Sequence, residues 1–319
     1  MNSKIYTLFQ SGFQSGHFIR IGENDKVNLY IGKDDHARYC FEFRGNHTPL
    51  KVLGSDVISV SQTKTDHDIC LRFALEDPDL LEHFCTFCQD LIESTACIDE
   101  DNAAYRAICT RYASWKKLFK LSNKKLSEPE IMGLIGELLF LQDQMFPIYG
   151  IDPALESWMG PEKTHKDFSL NDSWYEVKTV NAGKESVTIS SLEQLDGDLI
   201  GFLAVYKLEK MSPSYNGIKL LGVISSILGK INTPVQKEVF MSKLEQFGFD
   251  FSPEYDNYVY MLTDFSIYGV KEEFPRLKRT EIPLAISKVQ YDIILSDISK
   301  YKIGKSLTPW KSTNSESNS

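Results

Sequence analysis

No cysteine follows Cys109, and the six in the chain stand at positions 40, 70, 85, 88, 97 and 109 of 319 residues. A disulfide framework spanning the protein is therefore excluded, and reduced thiols of a cytoplasmic protein fit best. Long hydrophobic runs are also missing. The strongest, residues 199–205, is far short of the roughly 20 residues that cross a bilayer, and residues 1–12 lack a signal-peptide core. Membrane and secreted classes lose their support. Positive charge is in deficit, with 35 Lys and Arg against 44 Asp and Glu, for a net charge of -9. That excludes a coating of basic residues, although a local basic surface is enough to hold a phosphate backbone. No internal repeat is visible.

Two motif fragments lack the partners they need. Cys85-Thr86-Phe87-Cys88 with His83 resembles half of a zinc site, but no second CxxC or spaced His pair completes it, so core cysteines on a helix are expected. Gly304-Lys305-Ser306 ends like a phosphate-binding loop, yet Ser299 stands where its first glycine belongs and no helix follows.

What is present is the balance of a globular protein, 42% hydrophobic and 25% charged. The length exceeds one typical domain and falls short of three. Alternating β-branched and aromatic segments from Ile5 to about Arg72, including 26–31, 37–43 and 70–73, imply a small antiparallel sheet. Helical spacing follows at 79–92 and 103–121, then a linker at 122–126. Ser127 and Glu130 have capping-box spacing and open a helix expected to run to about Phe146. Strands are expected at 167–170, 174–180, 186–190, 198–207, 258–263 and 289–295, and helices at 222–231 and 234–247. The organisation expected is an N-terminal β-rich domain ending in a helix (1–100), a helical connector (101–126), a core (127–210), a C-terminal α/β extension (211–311) and a disordered tail (312–319).

Chemistry concentrates in residues 166–178. A two-residue turn at Asn171-Asp172 pairs Leu170 with Ser173, and counting back sets Asp167 against Glu176. Period two puts Lys178 on the face of Glu176, with Phe168, Leu170, Tyr175 and Val177 on the other. Like charges opposed across a ladder destabilise it, and a divalent cation between them reverses that sign. Upstream, Glu137 interrupts a helix that is apolar on nearly every side, where a carboxylate is costly without a partner. Gly133 and Gly136 share its face and let that face approach a sheet closely, so Glu137 can reach the same cation.

A helix with Glu, then Asp, then Glu-x-Lys on successive strands resembles the PD-(D/E)XK, or restriction-endonuclease-like, nuclease superfamily. Gly136-Glu137-Leu138, Trp158-Met159-Gly160-Pro161, Asp167-Phe168, Glu176-Val177-Lys178 and residues 190–195 are similar to bacterial PD-(D/E)XK motif proteins, a group associated with DNA-defence gene neighbourhoods. Lys166 stands where the superfamily often has proline.

The resemblance implies an α+β or α/β fold with a mixed central sheet flanked by helices. It implies a Mg²⁺-dependent DNA endonuclease, with Mn²⁺ able to substitute, in which Asp167, Glu176 and Glu137 hold metal and Lys178 acts on water and the scissile phosphate. Gln194 falls where the superfamily sometimes places an assisting glutamine, and it also has capping-box spacing from Ser191; both readings stay open. The implied partners are DNA and other defence proteins, an ATPase/helicase or methyltransferase, with homo-oligomerisation open and no iron-sulphur cluster, since no cysteine follows the core.

Three alternatives remain. In one, Asp167, Glu176 and Lys178 are a solvated strand pair and Glu137 a salt-bridged helix acid. In another the chain is a non-catalytic nucleic-acid-binding or scaffold subunit, and in the third its target is RNA. His165, two residues before Asp167, is placed to contact a phosphate, but a loop histidine reads more readily as a surface residue. Residues 271–311 carry nine Lys and Arg against five acids and form either part of a DNA surface or a solvated face.

Overall fold

The computed structural model describes residues 4–22, 26–119, 125–162 and 165–307. Most of the linker expected at 122–126, the end of the helix read to residue 121, and the tail at 312–319 lie outside these. The fold is mixed α+β, divided into two compact units: Met1–Lys125 with Asn232–Pro253, and Leu126–Ile231 with Glu254–Ser319.

The first unit opens on α1 (Lys4–Gln10), a helix where strand alternation was expected. Ile5 and Phe9, four residues apart and both buried, put their apolar surface on one helical face, which explains the difference. Five antiparallel strands follow, β1 (Phe18–Ile21), β2 (Asn28–Lys33), β3 (Tyr39–Gly45), β4 (Ile58–Lys64) and β5 (Ile69–Leu75), in the order β1-β2-β3-β5-β4. Their register aligns Ile31, Phe41 and Phe73 in one row and Leu29, Phe43 and Leu71 in the next, all buried. This apolar face packs on α2 (Leu81–Thr95) and α3 (Asp101–Leu118), where Phe73 meets Phe87 edge-on at 5.5 Å and Tyr112 at 4.7 Å. Cys85 and Cys88 are buried within α2.

The second unit begins with α4 (Glu128–Phe140), started by the expected box: the Ser127 amide donates to Glu130 Oε2 at 2.8 Å. The helix continues through a π turn (Leu141–Met145) into α5 (Phe146–Tyr149), and Gly150, at φ 81°, breaks it before α6 (Ile151–Ser157). By length and mean hydropathy of 1.2, the stretch Glu128–Tyr149 could cross a membrane, which corrects the reading that 199–205 was the strongest apolar run. Its Ile131, Leu134, Ile135, Leu138 and Phe140 are instead buried as a core helix.

The strands of this unit are β6 (Phe168–Ser169), β7 (Ser173–Asn181), β8 (Ser186–Ile189), β9 (Ile200–Met211), and, after α7 (Leu220–Lys230) and α8 (Pro234–Phe247), β10 (Val259–Val270), β11 (Tyr291–Ile294) and β12 (Lys302–Gly304). Of these elements, α8 belongs to the first unit. The main sheet has the order β12-β10-β9-β7-β6, with β7 parallel to β9 and the other pairs antiparallel. α4 and α7 pack together, and α4 lies against β7.

The other face of this sheet departs from the expected helical cover. There Trp174, Leu203, Val205, Tyr268 and Val270 pack against Val187 and Ile189 of β8 and Ile293 of β11, which form a separate two-stranded sheet. Both β8 and β11 are four-residue strands that pair with each other and turn Val187, Ile189 and Ile293 onto the main sheet.

Candidate active site at the edge of the mixed sheet

The hairpin carrying the acidic residues has the expected register. Leu170 N donates to Ser173 O at 2.8 Å, and Phe168 pairs with Tyr175. Tyr175 lies among Phe140 of α4 and Phe202 of β9, whereas Glu176 and Lys178 are on the opposite face of β7, that of Trp174. Glu176 is 1% exposed, and the Lys178 ammonium lies 2.8 Å from its Oε1, off the direction needed for a hydrogen bond. Neither carboxylate oxygen of Glu176 has a hydrogen-bond partner among the described residues.

Asp167 sits just before β6, and its position differs from a simple facing pair. The two-residue β6 stops at Phe168, so the outer amide of Val177 has no strand partner, and Asp167 Oδ2 accepts it at 2.7 Å in place of a main-chain carbonyl. The Asp167 carbonyl in turn accepts from Met159 N at 2.7 Å and Gly160 N at 3.1 Å. Trp158 Nε1 donates to Glu137 Oε2 at 2.8 Å. Residues 158–160 thus join the helix acid to the strand acid. A Cβ at Gly160 would collide with the Glu137 carboxylate, and one at Gly136 with the Thr179 hydroxyl, so both glycines permit close approach.

Gln194 ends a 3-10 turn (Leu192–Gln194) after β8. Its Oε1 accepts from Lys178 Nζ at 3.0 Å and from Ser190 N at 2.7 Å, so one carbonyl both braces the turn and holds the lysine. The capping box expected between Ser191 and Gln194 does not form, since Gln194 Oε1 takes the amide of Ser190 and the Ser191 side chain makes no capping bond. Lys166 is a residue whose importance spacing alone did not reveal. Its Nζ donates to Gln194 O and Asp196 O, each at 2.9 Å, and lies 3.5 Å from the Trp174 ring centroid. The only signal in the sequence was a lysine next to an essential-looking aspartate.

Burial and mutual repulsion dominate the electrostatics. Burial and the Asp167 charge push Glu176 up to about 8, and the same two causes raise Glu137 well above the usual carboxylate range. Burial also raises Asp167, against the pull of Lys178 and the Val177 amide. Lys166 is lowered to about 8 by burial. Among the described residues no three His, Cys, Asp or Glu side chains form a ready-made metal cage. The donor set nonetheless suits a hard divalent cation: it comprises mutually repelling carboxylates, one of which, Glu176, has both oxygens buried and unbonded, and a cation would favour their charged form.

A family described as "Putative PD-(D/E)XK family member (DUF4420)" matches residues 5–296. The chain belongs to this family. Comparison with curated proteins and with solved structures gives no match. The PD-(D/E)XK description extends well beyond residues 127–207, where the recognisable text lies, and takes in the N-terminal sheet.

The remaining candidates are peripheral. His165 is exposed. Several cations of residues 271–307 make local bonds: Arg276 Nη1 to Leu195 O at 2.6 Å, Lys278 to Glu272 at 2.5 Å, and Lys305 to Asp264 at 2.6 Å.

Proposed function

We propose that this chain is a divalent-metal-dependent DNA endonuclease that hydrolyses phosphodiester bonds, the cleaving component of a bacterial restriction or anti-phage defence system. The observation that carries the reading is the juxtaposition on β7 of a buried carboxylate with unbonded oxygens, Glu176, and an ammonium held between that carboxylate and Gln194. Asp167, Glu176 and Glu137 are the residues to hold Mg²⁺ or Mn²⁺. When bound, such an ion supplies Lewis-acid stabilisation of charge on the phosphoryl oxygens.

Lys178 keeps N–H donors beyond the one given to Gln194, which it can turn to a water or to the scissile phosphate. Gln194 fixes its direction, and Lys166 fixes Gln194. Trp158 and the amides of Met159 and Gly160 set the spacing of Glu137 and Asp167. Partner proteins that recognise or translocate DNA complete the system, since the sequence contains no helicase or methyltransferase signature.

The test is incubation of the purified chain, with and without its genomic neighbours, on supercoiled plasmid with Mg²⁺, Mn²⁺ or EDTA. Metal-dependent nicking or linearisation is expected. Asp167→Asn and Lys178→Met should each slow it by about 10²-fold or more, with circular dichroism unchanged. Cleavage at the wild-type rate by both variants would remove the assignment, and DNA binding without cleavage under every condition would favour the non-catalytic subunit.

A further inference from the structure

The open face of the N-terminal sheet carries a second constellation that the proposed chemistry does not use. Register places Tyr30, Glu42, Arg72 and Ser61 in one cross-strand row on the side opposite the apolar core, with Arg44 and Thr63 on that side two residues along. Glu42 is fully buried beneath two arginines. Its Oε2 accepts from Arg44 Nε at 2.8 Å and Nη2 at 2.5 Å, and its Oε1 accepts from Arg72 Nε at 2.6 Å. One carboxylate thus serves two guanidinium groups.

The arginines are held as well as paired. Arg44 lies over the Tyr30 ring at 4.2 Å, and Arg72 over Phe18 at 5.1 Å. Both side chains are one-third exposed, and their remaining Nη donors make no hydrogen bond within the described residues. They line a cleft of about 430 Å³ together with Ser61, Thr63 and His67. Asp68 also lines the cleft and accepts from Thr65 Oγ1 at 2.5 Å, so two carboxylates and two guanidinium groups share it. A buried ionic triad is a poor device for stability, because apolar replacements of similar volume are usually neutral or better. Its clear consequence is two planar guanidinium forks fixed before any ligand arrives, the geometry that suits phosphate oxygens.

We infer that this cleft binds the sugar-phosphate backbone of duplex DNA without regard to sequence, supplying affinity that the acidic nuclease unit lacks. The identification of the ligand as DNA rests on the nuclease reading. Backbone rather than base contact follows from the rings: the faces of Phe18 and Tyr30 that could stack on bases are already covered by guanidinium groups.

The experiment uses the full chain carrying Asp167→Asn, so that substrate is not consumed, and measures anisotropy of a labelled duplex at several salt concentrations. Thr63→Glu places a carboxylate on an exposed wall of the cleft without disturbing Glu42, and should weaken binding by about tenfold or more. The triple change Glu42→Gln, Arg44→Gln, Arg72→Gln strands no buried charge, and should reduce the slope of log K against log salt by about 2, one unit for each lost phosphate contact. Affinity and slope unchanged in both variants would overturn the inference. So would failure of the parent chain to bind DNA, or preferential binding of polyglutamate over duplex. Plasmid cleavage by the wild-type chain is scored separately: loss of binding in the cleft variants combined with an inactive wild type would sink the nuclease reading and leave the DNA surface standing.

Discussion

Glu176 concentrates the chemistry of the site in one side chain, and its pH behaviour follows from its surroundings. Burial and Asp167 raise its pKa from 4.5 to about 8 in the folded protein. Between those values the native state binds a proton that the unfolded state has released, so this residue's contribution to stability is present at low pH and declines as pH rises toward 8. Denaturant melts in EDTA should therefore show the metal-free protein losing stability from about pH 5 to pH 8, and Glu176→Gln should flatten that dependence. Mg²⁺ should reverse the trend at the upper end, because the ion binds the deprotonated form. Glu137 differs from the salt-bridged helix acid considered from sequence. Its Oε2 accepts from the indole of Trp158, a bond that a glutamine carbonyl can also accept.

At the level of elements, the site depends on how closely α4 and β7 approach. Gly136 on the helix faces Thr179 on the strand with no room for a methyl group. Gly136→Ala should cost about 1–3 kcal/mol by overpacking, despite alanine's better helix propensity. Thr179→Ala in the same chain should recover most of that loss, and a double-mutant cycle by urea denaturation measures the coupling. The short β6 is equally consequential: one more residue pair would give the Val177 amide a main-chain acceptor and leave Asp167 without its anchor. The sequence made the hairpin and its register legible through Asn171-Asp172 and the alternation on either side. It did not show that β8 leaves the main sheet for a pairing with β11, about a hundred residues away, because short apolar alternation is the same whichever sheet receives it.

At the scale of the whole molecule, the chain leaves the second unit after Ile231, contributes residues 232–253 to the first, and returns. The stretch read as one extension, 211–311, is thus shared between the units. The return is secured inside the first unit by Asp90 of α2, which accepts from Arg111 Nη2 at 2.6 Å, Trp115 Nε1 at 2.8 Å and Lys237 Nζ of α8 at 2.8 Å. Burial alone would raise the Asp90 pKa, but Arg111 and Lys237 outweigh it and hold the carboxyl below its ordinary value. Asp90→Ala strands the buried Arg111 guanidinium and leaves Lys237 with Glu93 as its acidic partner, and should cost about 3–5 kcal/mol in a denaturant melt. The stability that Asp90 supplies is present at neutral pH and lost as pH falls through its lowered pKa.

By itself, the sequence determined the features that depend on near neighbours. The α8 boundaries followed from Thr233-Pro234 and Gly248, the opening of α4 from Ser127 and Glu130, and the facing of Glu176 and Lys178 from the period of a strand. Tertiary structure decided what depends on distant segments meeting. It placed Asp167 on the Val177 amide, Trp158 on Glu137, and Lys166 on the carbonyls beside Gln194, and it put two arginines from different strands on one buried glutamate. Local spacing fixes which side of an element a residue occupies. The electrostatic cost of burying a charge is settled only by what packs against that side, and this is why the candidate acids, the lysine and Gln194 could be singled out from sequence while the contacts that hold them in place could not.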